Sequence, residues 1–356
     1  MTTRRQGGLF WRDRTQGKKL KALQTAEQIN HIAYGFIASK ALFSAIDLGV
    51  FDTLKNGPMN SEQVAKDVGI AARSMETLLT ALVGAGLLEK RDEGFANSPA
   101  TQTFLVKEGR HYFGDYLSRQ IDRQMYPAMG NLDSALAGHY DKTRHENYEQ
   151  WMSDPKEAEL YSRSQHNGSL GPAALLAKRV DLSGAGSLLD VGGGTGAFSI
   201  TLCQRFADMR STIIEFSNVA SLGAEYVAEA GLAGRIDYLA GNALDVEWPD
   251  GKDAVLMSYI SSSVSEQGVE ALYTKAEKSL VPGGTAIIHD FIINDARDGP
   301  ALAAYWALQH LTFTPGAVSL TPEILRGKLS AAGFTDIQGQ PHVPGITQLV
   351  TARKPK

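Results

Sequence analysis

Three glycines, Gly192, Gly194 and Gly196, follow an apolar run that ends at Val191 and precede a segment with helical spacing. A glycine loop between a strand and a helix lets the backbone approach a ligand that any side chain would block. Glu215 lies 21 residues after Gly194, where its carboxylate can accept hydrogen bonds from both hydroxyls of a ribose. The spacing predicts a site for a nucleoside-containing ligand, although a tight turn without a ligand uses the same glycines.

The residues around the loop distinguish two classes of ligand. A nicotinamide dinucleotide is bound by the same loop geometry and is the main alternative. This loop, however, lies in the middle of the chain, and Asp190 precedes the glycines, where it could meet the ammonium group of a methionine moiety. Both features favour S-adenosylmethionine (SAM) over the dinucleotide.

A parallel sheet has to hold such a loop, and the C-terminal half of the chain has the pattern of one. Apolar runs alternate there with helical spacing, which is typical of a doubly wound α/β fold with ligands at the carboxyl ends of its strands. The predicted strands are Ser187–Val191, Arg210–Glu215, Ile236–Ala240, Asp253–Ser258, Gly284–Asp290 and Thr347–Ala352. The predicted helices are Ala197–Phe206, Val219–Ala230, Gly268–Ser279 and Pro322–Ala332.

The N-terminal part has a different pattern. From about residue 18 to residue 54, apolar side chains recur three and four apart with small residues between them, which predicts helices that can pack closely on another chain. A helix begins at Asn60 or Ser61 and ends at Gly69, and a second helix ends near Gly86. A turn signal at residues 92–94 then joins two short strands. Two helices followed by a two-stranded wing predict a winged-helix domain.

A winged helix raises a DNA-binding alternative, and the charges argue against it. The second helix would have to present cations to phosphates, but residues 73–87 contain one Arg, one Glu and otherwise small or mostly apolar residues. The net charge of the whole chain is −4, which argues against nucleic-acid or anionic-membrane partners. We therefore expect the winged helix to serve dimerisation, and the chain to form a homodimer.

The start of the chain carries seven Lys or Arg residues against Asp13 within residues 1–22, a net charge of +6. We expect a flexible basic arm here, the alternative being a targeting peptide.

The single cysteine, Cys203, excludes an internal disulfide and a cysteine-cluster metal site, and no apolar run approaches 18 residues. We expect no metal, a cytoplasmic protein and four segments: the arm at 1–22, a helical and winged-helix dimerisation domain at 23–110, a helical linker contributing to the acceptor pocket at 111–180, and a SAM-binding domain at 181–356.

Four strings in fixed order resemble the dimeric small-molecule O-methyltransferases, a family that includes plant caffeate-type and bacterial polyketide-tailoring enzymes. The strings are LLDVGGGTG from Leu188, EFSNV from Glu215, GGTAIIHDF from Gly283 and AAGF from Ala331. The resemblance covers about residues 25–353. It implies a winged-helix dimerisation domain, a Rossmann-like methyltransferase domain, SAM as the methyl donor and S-adenosylhomocysteine (SAH) as the product.

The residues and the resemblance together give a set of expected cofactor-binding positions. They are Arg163, Asp190, Gly192, Gly194, Glu215, Asn242, Ala243, Ser258 and Tyr259. The resemblance implies that Arg163 pairs with the carboxylate of the cofactor, for which a guanidinium is suited by its bidentate geometry. It also implies adenine contacts from Asn242 and Ala243, although the family usually has Asp at the first of these. Ser258 and Tyr259 fall where the family has a Lys and an aromatic residue beside the adenine.

The pattern departs from the family at the catalytic base. O-methylating members use a His that deprotonates the acceptor hydroxyl, and Ser262 occupies that position here. Asp290 matches one of the two carboxylates that flank this His, and Ser319 replaces the other. Either another residue acts as base, the candidates being His310, His166 and His289, or the acceptor has no proton to lose. A general base contributes ~10²–10⁴-fold, so a site for phenols or alcohols would rarely discard it, whereas a thioether sulfur needs none.

The expected acceptor pocket is polar where the family often has Met residues. Its candidate residues are Arg123, Tyr126, Gln165, His166, Gln309 and His310. Together they could hold a carboxylate through charge-assisted hydrogen bonds, although Arg123 and Tyr126 could equally be packing residues between helices. The preferred hypothesis is S-methylation of a small thioether acid, 4-methylthio-2-hydroxybutyrate, to a sulfonium in dimethylsulfoniopropionate synthesis. The alternatives are an O- or C-methyltransferase with another base, and a SAM-binding protein without transfer activity.

Overall fold

The computed structural model describes residues 21–139, 148–314 and 316–356. Nearly all of the predicted basic arm, residues 1–20, lies outside the described residues. Two compact units divide the described chain. The N-terminal unit consists of Lys21–Pro127 and Arg163–Gly168, and the C-terminal unit contains the described parts of Ala128–Ser162 and Ser169–Lys356.

The first part of the chain forms the predicted helices and wing. In chain order the elements are α1 (Ala26–Ala33), α2 (Gly35–Leu48), α3 (Val50–Thr53), α4 (Ser61–Val68), α5 (Ala72–Gly84), β1 (Leu88–Arg91), β2 (Gly94–Asn97), α6 (Pro99–Phe104), a π-helical stretch (Tyr116–Met125) and α7 (Tyr126–Met129). The start of α4 is fixed by a capping box, in which the Asn60 side chain accepts from the Gln63 backbone and Gln63 reciprocates. Gly69, with φ of +80°, ends the helix as predicted.

The remaining elements form the C-terminal unit, in which α10 also runs through residues 163–168 of the N-terminal unit. The helices are α8 (Leu132–Leu136), α9 (Tyr148–Met152), α10 (Pro155–Arg179), α11 (Ala197–Arg205), α12 (Ser217–Glu229), α13 (Glu266–Ser279), α14 (Ala301–Phe313) and α15 (Pro322–Ala331). The strands are β3 (Ser187–Val191), β4 (Arg210–Glu215), β5 (Ile236–Ala240), β6 (Lys252–Ser258), β7 (Leu280–Asp290), β8 (Thr335–Pro341) and β9 (Gln348–Arg353).

Within the described residues, these strands form a seven-stranded sheet in the order β5-β4-β3-β6-β7-β9-β8. The strands β5, β4, β3, β6 and β7 run parallel, and β9 is antiparallel to both β7 and β8. The chain order reverses between β3 and β6, so the carboxyl end of β3 lies beside the point where ligands bind in such sheets. The predicted doubly wound α/β class, preceded by a helical and winged domain, is confirmed.

Both faces of the sheet are buried, and successive side chains along each strand point to opposite faces. Leu189 and Val191 pack in one apolar cluster with α13 and α15, whereas Leu188 packs on the other side with α10 and α11. All three are fully buried. Two-sided burial explains why the central strands have almost continuous apolar runs, which the sequence shows clearly. The edge strand β8 has the polar sequence TDIQGQP and was not predicted, because an edge strand is only partly buried and lacks this signal.

The helices α1 and α2 leave a set of large apolar side chains exposed. These are Leu23, Ile29, Ile32, Tyr34, Phe36 and Ile37, each 48–67% exposed. Large exposed apolar side chains concentrated in one segment favour an interaction site over a free surface. Among the helices that the structure describes, none has the length and apolar character needed to cross a bilayer.

Two glycines inside helices provide a test of the packing. A Cβ at Gly223 on α12 would overlap the Tyr238 phenol, whereas a Cβ at Gly327 on α15 would meet no atom within 4 Å. We expect Gly223→Ala to destabilise the protein by about 1–3 kcal/mol through overpacking. Gly327→Ala should stabilise it by about 0.5–1 kcal/mol because alanine favours the helix. Denaturant unfolding of both variants measures this, and equal effects of the same sign would contradict the described packing around Tyr238.

Candidate functional site

The glycine loop is built at the carboxyl end of β3. Gly192, Gly194 and Gly196 have φ values of +65°, +57° and +79°, a conformation that side chains disfavour. Gly194 faces open space, since a Cβ there would meet no atom within 4 Å. A Cβ at Gly192 would lie 2.9 Å from Ile260 Cδ1, so this part of the loop contacts the segment that follows β6. The loop therefore has uncovered backbone at Gly194, and its contact with a ligand remains a prediction.

The Glu215 carboxylate, at the end of the neighbouring strand β4, binds the glycine loop through a hydrogen bond. Its Oε2 accepts from the Gly194 backbone N–H at 2.9 Å, and its Oε1 accepts from the Phe216 N–H at 2.7 Å. Tyr238 forms a second hydrogen bond to the loop, in which its hydroxyl donates to the Gly194 carbonyl at 3.0 Å. Burial raises the pKa of the Glu215 carboxyl from its ordinary value of 4.5 to about 7.

The Glu215 carboxylate can accept further hydrogen bonds. An ionised carboxylate has about four lone-pair sites, and the two backbone donors use two of them. The two hydroxyls of a ribose are donors of the right number and kind to use the rest. The arrangement of a bare glycine loop beside this carboxylate therefore fits the nucleoside part of SAM.

Asp190 requires a correction. We expected it to meet the ammonium group of the ligand, but its side chain is fully buried beneath the loop. Its Oδ2 accepts from the Ser199 hydroxyl at 2.6 Å, and a Cβ at Gly193 would lie 2.7 Å from its Cγ. Burial raises the pKa of the Asp190 carboxyl to about 6. The carboxyl thus supports the loop and the start of α11 from below and has no exposed surface, while its Oδ1 has no partner among the described residues.

The predicted adenine positions lie past the carboxyl end of β5. Asn242 accepts from the Leu244 N–H at 3.0 Å through its side chain and donates to Glu149 at 2.9 Å. Ala243 is nearly buried, and its carbonyl accepts from Trp248 and Lys275. The Asn242 amide keeps one N–H and one oxygen lone pair beyond these two bonds, so its adenine contact remains a prediction.

The segment after β6 brings Ser258 and Tyr259 against β7. Tyr259 has φ of +60°, which is unusual for a residue with a side chain and marks a strained turn of the kind that clusters at functional sites. Its ring packs against His289 and Phe291, with centroids 4.5 and 5.4 Å away. His289 is fully buried, and its two ring nitrogens contact the hydroxyls of Ser258 and Thr347. His289 is therefore a structural histidine and not the alternative base.

Ser262 and Asp290 form a buried pair. The Ser262 hydroxyl donates to Asp290 Oδ1 at 2.6 Å, and its backbone N–H donates to Oδ2 at 3.0 Å. The Phe291 N–H donates to Oδ1 at 2.8 Å. Burial raises the pKa of the Asp290 carboxyl to about 6, and these hydrogen bonds oppose the rise. The serine hydroxyl is thus engaged as a donor to the carboxylate and does not point a basic group at a ligand.

A pocket adjoins this pair. Its lining residues are Ser262, Phe291, Ile293, Trp306, Ala307, His310, Ala317, Val318, Ser319 and Leu320. Ser262, Ser319 and His310, which the sequence singles out, all line this pocket. His310 Nδ1 contacts the Thr314 hydroxyl, and burial lowers the pKa of the His310 imidazole to about 4. Of the described residues that line the pocket, His310 alone has a side chain that ionises between pH 2 and 12.

Gln309, the neighbour of His310 on α14, is buried in the C-terminal unit. The other four predicted acceptor residues, Arg123, Tyr126, Gln165 and His166, belong to the N-terminal unit, and the first two require correction. Arg123 pairs with Asp47 of α2 at 3.2 Å, and the Tyr126 hydroxyl donates to the Phe36 carbonyl at 3.2 Å. The Tyr126 ring also packs edge-on against Phe43. These are contacts between helices, so the structure favours the packing alternative for both.

Arg163, Gln165 and His166 lie on the part of α10 that belongs to the N-terminal unit. All three are half-buried. Burial lowers the pKa of the His166 imidazole to about 4, which makes it a weak base near neutral pH. Their cofactor and acceptor roles remain predictions.

Several residues at the site were not predicted. Tyr238 holds the glycine loop, Ser199 binds Asp190, and Trp306 stacks on Phe291 with ring centroids 4.2 Å apart and planes at 14°. Trp306 lies four residues before His310, which is the helical spacing of neighbours on one face, and this was a usable signal. In the described ranges, no group of three or more His, Cys, Asp or Glu side chains is arranged to hold a metal ion.

Two family models match the chain. The O-methyltransferase dimerisation domain matches residues 30–107, and the O-methyltransferase domain matches residues 135–335. The first covers the helices and wing of the N-terminal unit. The second covers the glycine loop, Glu215, the Ser262–Asp290 pair and the pocket.

Individual proteins are similar over most of their length. The 3-hydroxy-5-methyl-1-naphthoate 3-O-methyltransferase of Streptomyces sahachiroi is 32% identical over 81% of this chain and 84% of its own. The N,N-dimethyltransferase OxyT of Streptomyces rimosus is 28% identical over 88% of this chain and 92% of its own. The crystal structure of human N-acetylserotonin methyltransferase in complex with SAM has a TM-score of 0.84 at 22% identity and covers 95% of this chain and 100% of its own. This last likeness supports the fold.

The raised pKa of Glu215 predicts a pH-dependent affinity for SAH. Ribose hydroxyls donate to the ionised carboxylate, so ligand binding should strengthen as the pH rises through about 7. Calorimetric titration should show an affinity about tenfold higher at pH 8 than at pH 6. Glu215→Gln should bind SAH more weakly and with little dependence on pH in this range.

The apoprotein should show the opposite trend in stability. A carboxyl whose pKa is higher in the folded than in the unfolded state contributes stability below pH 4.5 and loses it as the pH rises to about 7. Glu215→Gln should therefore unfold with a smaller decline over this interval. A wild-type SAH affinity that does not change between pH 6 and pH 8 would contradict the assignment of Glu215 to the ribose.

Proposed function

The chain belongs to the O-methyltransferase family and is a SAM-dependent methyltransferase. From this premise we propose that it methylates a small acceptor bound in the Ser262–His310 pocket without a general base. The acceptor class that suits such a site best is a thioether acid, with 4-methylthio-2-hydroxybutyrate as the first compound to test. Transfer would yield the sulfonium precursor of dimethylsulfoniopropionate.

The Ser262–Asp290 pair carries the proposal. The position where the family's O-methylating members have a His holds a hydroxyl that is already bonded to Asp290 at 2.6 Å. A serine hydroxyl is far too weak a base to accept a proton at neutral pH. The neighbouring carboxylate is covered by three donors from Ser262 and Phe291 and is fully buried. Neither group is available to remove a proton from an acceptor.

His310 is the other titratable group in the pocket, and its environment argues against a role as base. The ideal pKa of a general base lies near the working pH. Burial lowers the pKa of His310 to about 4, so the imidazole has little tendency to take a proton from an acceptor hydroxyl. One of its nitrogens is also engaged with Thr314.

A thioether acceptor fits these constraints. SAM supplies an electrophilic methyl group on a sulfonium, and a neutral thioether sulfur attacks it without losing a proton. The site then needs to align the two sulfurs and exclude water. The stacked Phe291 and Trp306 rings border the pocket, and aromatic faces attract the positive charge that the acceptor sulfur acquires.

O- or C-methylation is the second candidate, and one observation favours it. His310 Nε2 is buried without a hydrogen-bond partner among the described residues, in the same pocket as Ser262. The relatives reported above are named for transfer to oxygen and to nitrogen, and one of them acts on a naphthoate, itself an acid. Methyltransferases of this family thus differ in the accepting atom, and the family alone does not decide it.

An acceptor panel tests the proposal. The protein is incubated with methyl-labelled SAM and with the thioether acid, a phenol and an activated carbon acid. We expect label in a sulfonium product. Ser262→Ala should keep activity within about threefold, because no proton passes through this side chain. Label in a phenyl ether together with a loss of several hundredfold in Ser262→Ala would overturn the proposal.

His310→Gln separates the two candidates further. If His310 were the base, the variant should lose about 10²–10⁴-fold in kcat. Under base-free transfer we expect kcat to change little and the KM for the acceptor to rise. Near-wild-type affinity for SAH would serve as the control for correct folding.

The homodimer is part of the same proposal. It is supported by the match to the dimerisation domain over residues 30–107 and by the exposed apolar residues of α1 and α2. The predicted division of the chain at residues 23–110, 111–180 and 181–356 is retained as a proposal with it. A second copy of the chain would cover side chains such as Ile32 and Phe36, which are 67% and 58% exposed.

Two charges placed on this surface should prevent dimerisation. We expect the double variant Ile32→Glu, Phe36→Glu to elute as a monomer in size-exclusion chromatography with light scattering, because buried unpaired carboxylates are costly. Thr77→Glu, which adds a charge at an exposed position of α5, is the control and should remain dimeric. A dimeric double variant would place the interface elsewhere.

A further inference from the structure

We propose that three side-chain nitrogens on α14, Trp306 Nε1, Gln309 Nε2 and His310 Nε2, form a site for the carboxylate of an acidic acceptor. The proposal rests on the proposed function, since it concerns the acceptor of the same methyl transfer. It names the chemical class that the site selects, which is a small molecule bearing a carboxylate.

The three residues share one face of the helix. At about 100° per residue, Gln309 and His310 lie about 60° and 40° to either side of Trp306 when viewed down the axis. The Trp306 and His310 rings meet edge to face with centroids 5.7 Å apart. Both rings line the pocket that also contains Ser262.

All three nitrogens are buried without a partner. Within the part of the chain that the structure describes, no acceptor lies at hydrogen-bond distance from any of them. Gln309 and His310 are 5% and 3% exposed, so bulk solvent does not reach these side chains. Buried donors are almost always paired in folded proteins, because an unpaired donor costs free energy. Three such donors on one helix face indicate that a ligand supplies the acceptors.

The chemistry of these groups indicates an anion. The Trp306 indole has only a donor, and the Gln309 amide nitrogen has two. When His310 Nδ1 accepts the proton of the Thr314 hydroxyl, Nε2 carries the hydrogen of the neutral imidazole. Trp306 and His310 line the pocket, and Gln309 precedes His310 on the same helix. A carboxylate, with two oxygens and several lone pairs, can accept from several donors of this kind.

Neutral donors have an advantage in this place. The turn at Ser261–Ser263 that contributes Ser262 to the pocket follows Ile260, which contacts Gly192 of the cofactor loop. A buried cation beside this loop would repel the sulfonium of SAM. Indole, amide and neutral imidazole donors bind a carboxylate without adding a positive charge to the site.

The test compares acids with their primary amides. Calorimetry on the full-length protein saturated with SAH would measure the affinities for 4-methylthio-2-hydroxybutyrate and its amide, and for 3-hydroxybenzoate and its amide. We expect at least one acid to bind about tenfold or more tightly than its amide. Charge-assisted hydrogen bonds are about twice as strong as neutral ones.

Substitutions on α14 assign the preference to the proposed donors. Gln309→Leu and Trp306→Phe should each weaken binding of the acid about 10- to 100-fold and weaken binding of the amide much less. Gln309→Glu should abolish binding of the acid and retain binding of the amide. Tyr305→Phe, at a 62% exposed position of the same helix, is the matched control and should behave as wild type. Unchanged SAH affinity shows that each variant is folded.

The outcomes separate this proposal from the one on which it rests. Equal binding of acid and amide, or an acid preference that survives Gln309→Leu and Trp306→Phe, would overturn the carboxylate site even if a sulfonium product forms. An acid preference lost in these variants, together with transfer to the phenol alone, supports the carboxylate site and overturns base-free transfer to the thioether.

Discussion

The site depends on one hydrogen bond between the glycine loop and the neighbouring strand β4, from the Gly194 N–H to the partly buried Glu215 carboxylate. It fixes the glycine loop beyond the carboxyl end of β3, and Tyr238 holds the carbonyl of the same residue. Because the carboxyl is partly buried with only two described donors, its pKa rises and part of its acceptor capacity stays unused. A nucleoside that supplies two hydroxyls relieves this cost. We therefore propose that Glu215 recognises the ribose of the cofactor through this unused acceptor capacity.

The Ser262–Asp290 pair is the corresponding constraint on the acceptor side. A carboxylate at this position could orient and stabilise an imidazolium, which is its use in enzymes that move a proton. Here the same carboxylate holds a serine hydroxyl and two backbone N–H groups, and the network is closed on itself. A closed network supplies rigidity to the pocket wall and no proton acceptor. Under the proposed function, the family's fold and cofactor are combined with an acceptor site that does not use a base at this position.

Regular elements with strong patterns could be predicted from the sequence, and contacts between distant segments could not. The bounds of β3, β4 and β5 match the prediction because two-sided burial produces apolar runs. Asp190 was assigned to the ligand because of its place in the string, but alternation along β3 puts it on the face of Leu188, under α11. For Arg123, the chemistry of the residue suggested an anion, while its partner Asp47 lies 76 residues away and has no signature in the sequence.

The unpaired donors of α14 complete the physical picture of the acceptor site. Each buried N–H without a partner reduces the free energy of unfolding by about 1–3 kcal/mol. Three of them on one helix therefore destabilise the fold considerably, and packing alone gives no reason for them. In the proposed reaction, an acid enters as an anion and leaves as a zwitterion, because the acceptor sulfur gains the charge that SAM loses. Neutral donors keep their hold on the carboxylate throughout this change, and the aromatic faces of Phe291 and Trp306 meet the new cation. A pocket without formal charge can bind the anionic acceptor and still release the zwitterionic product.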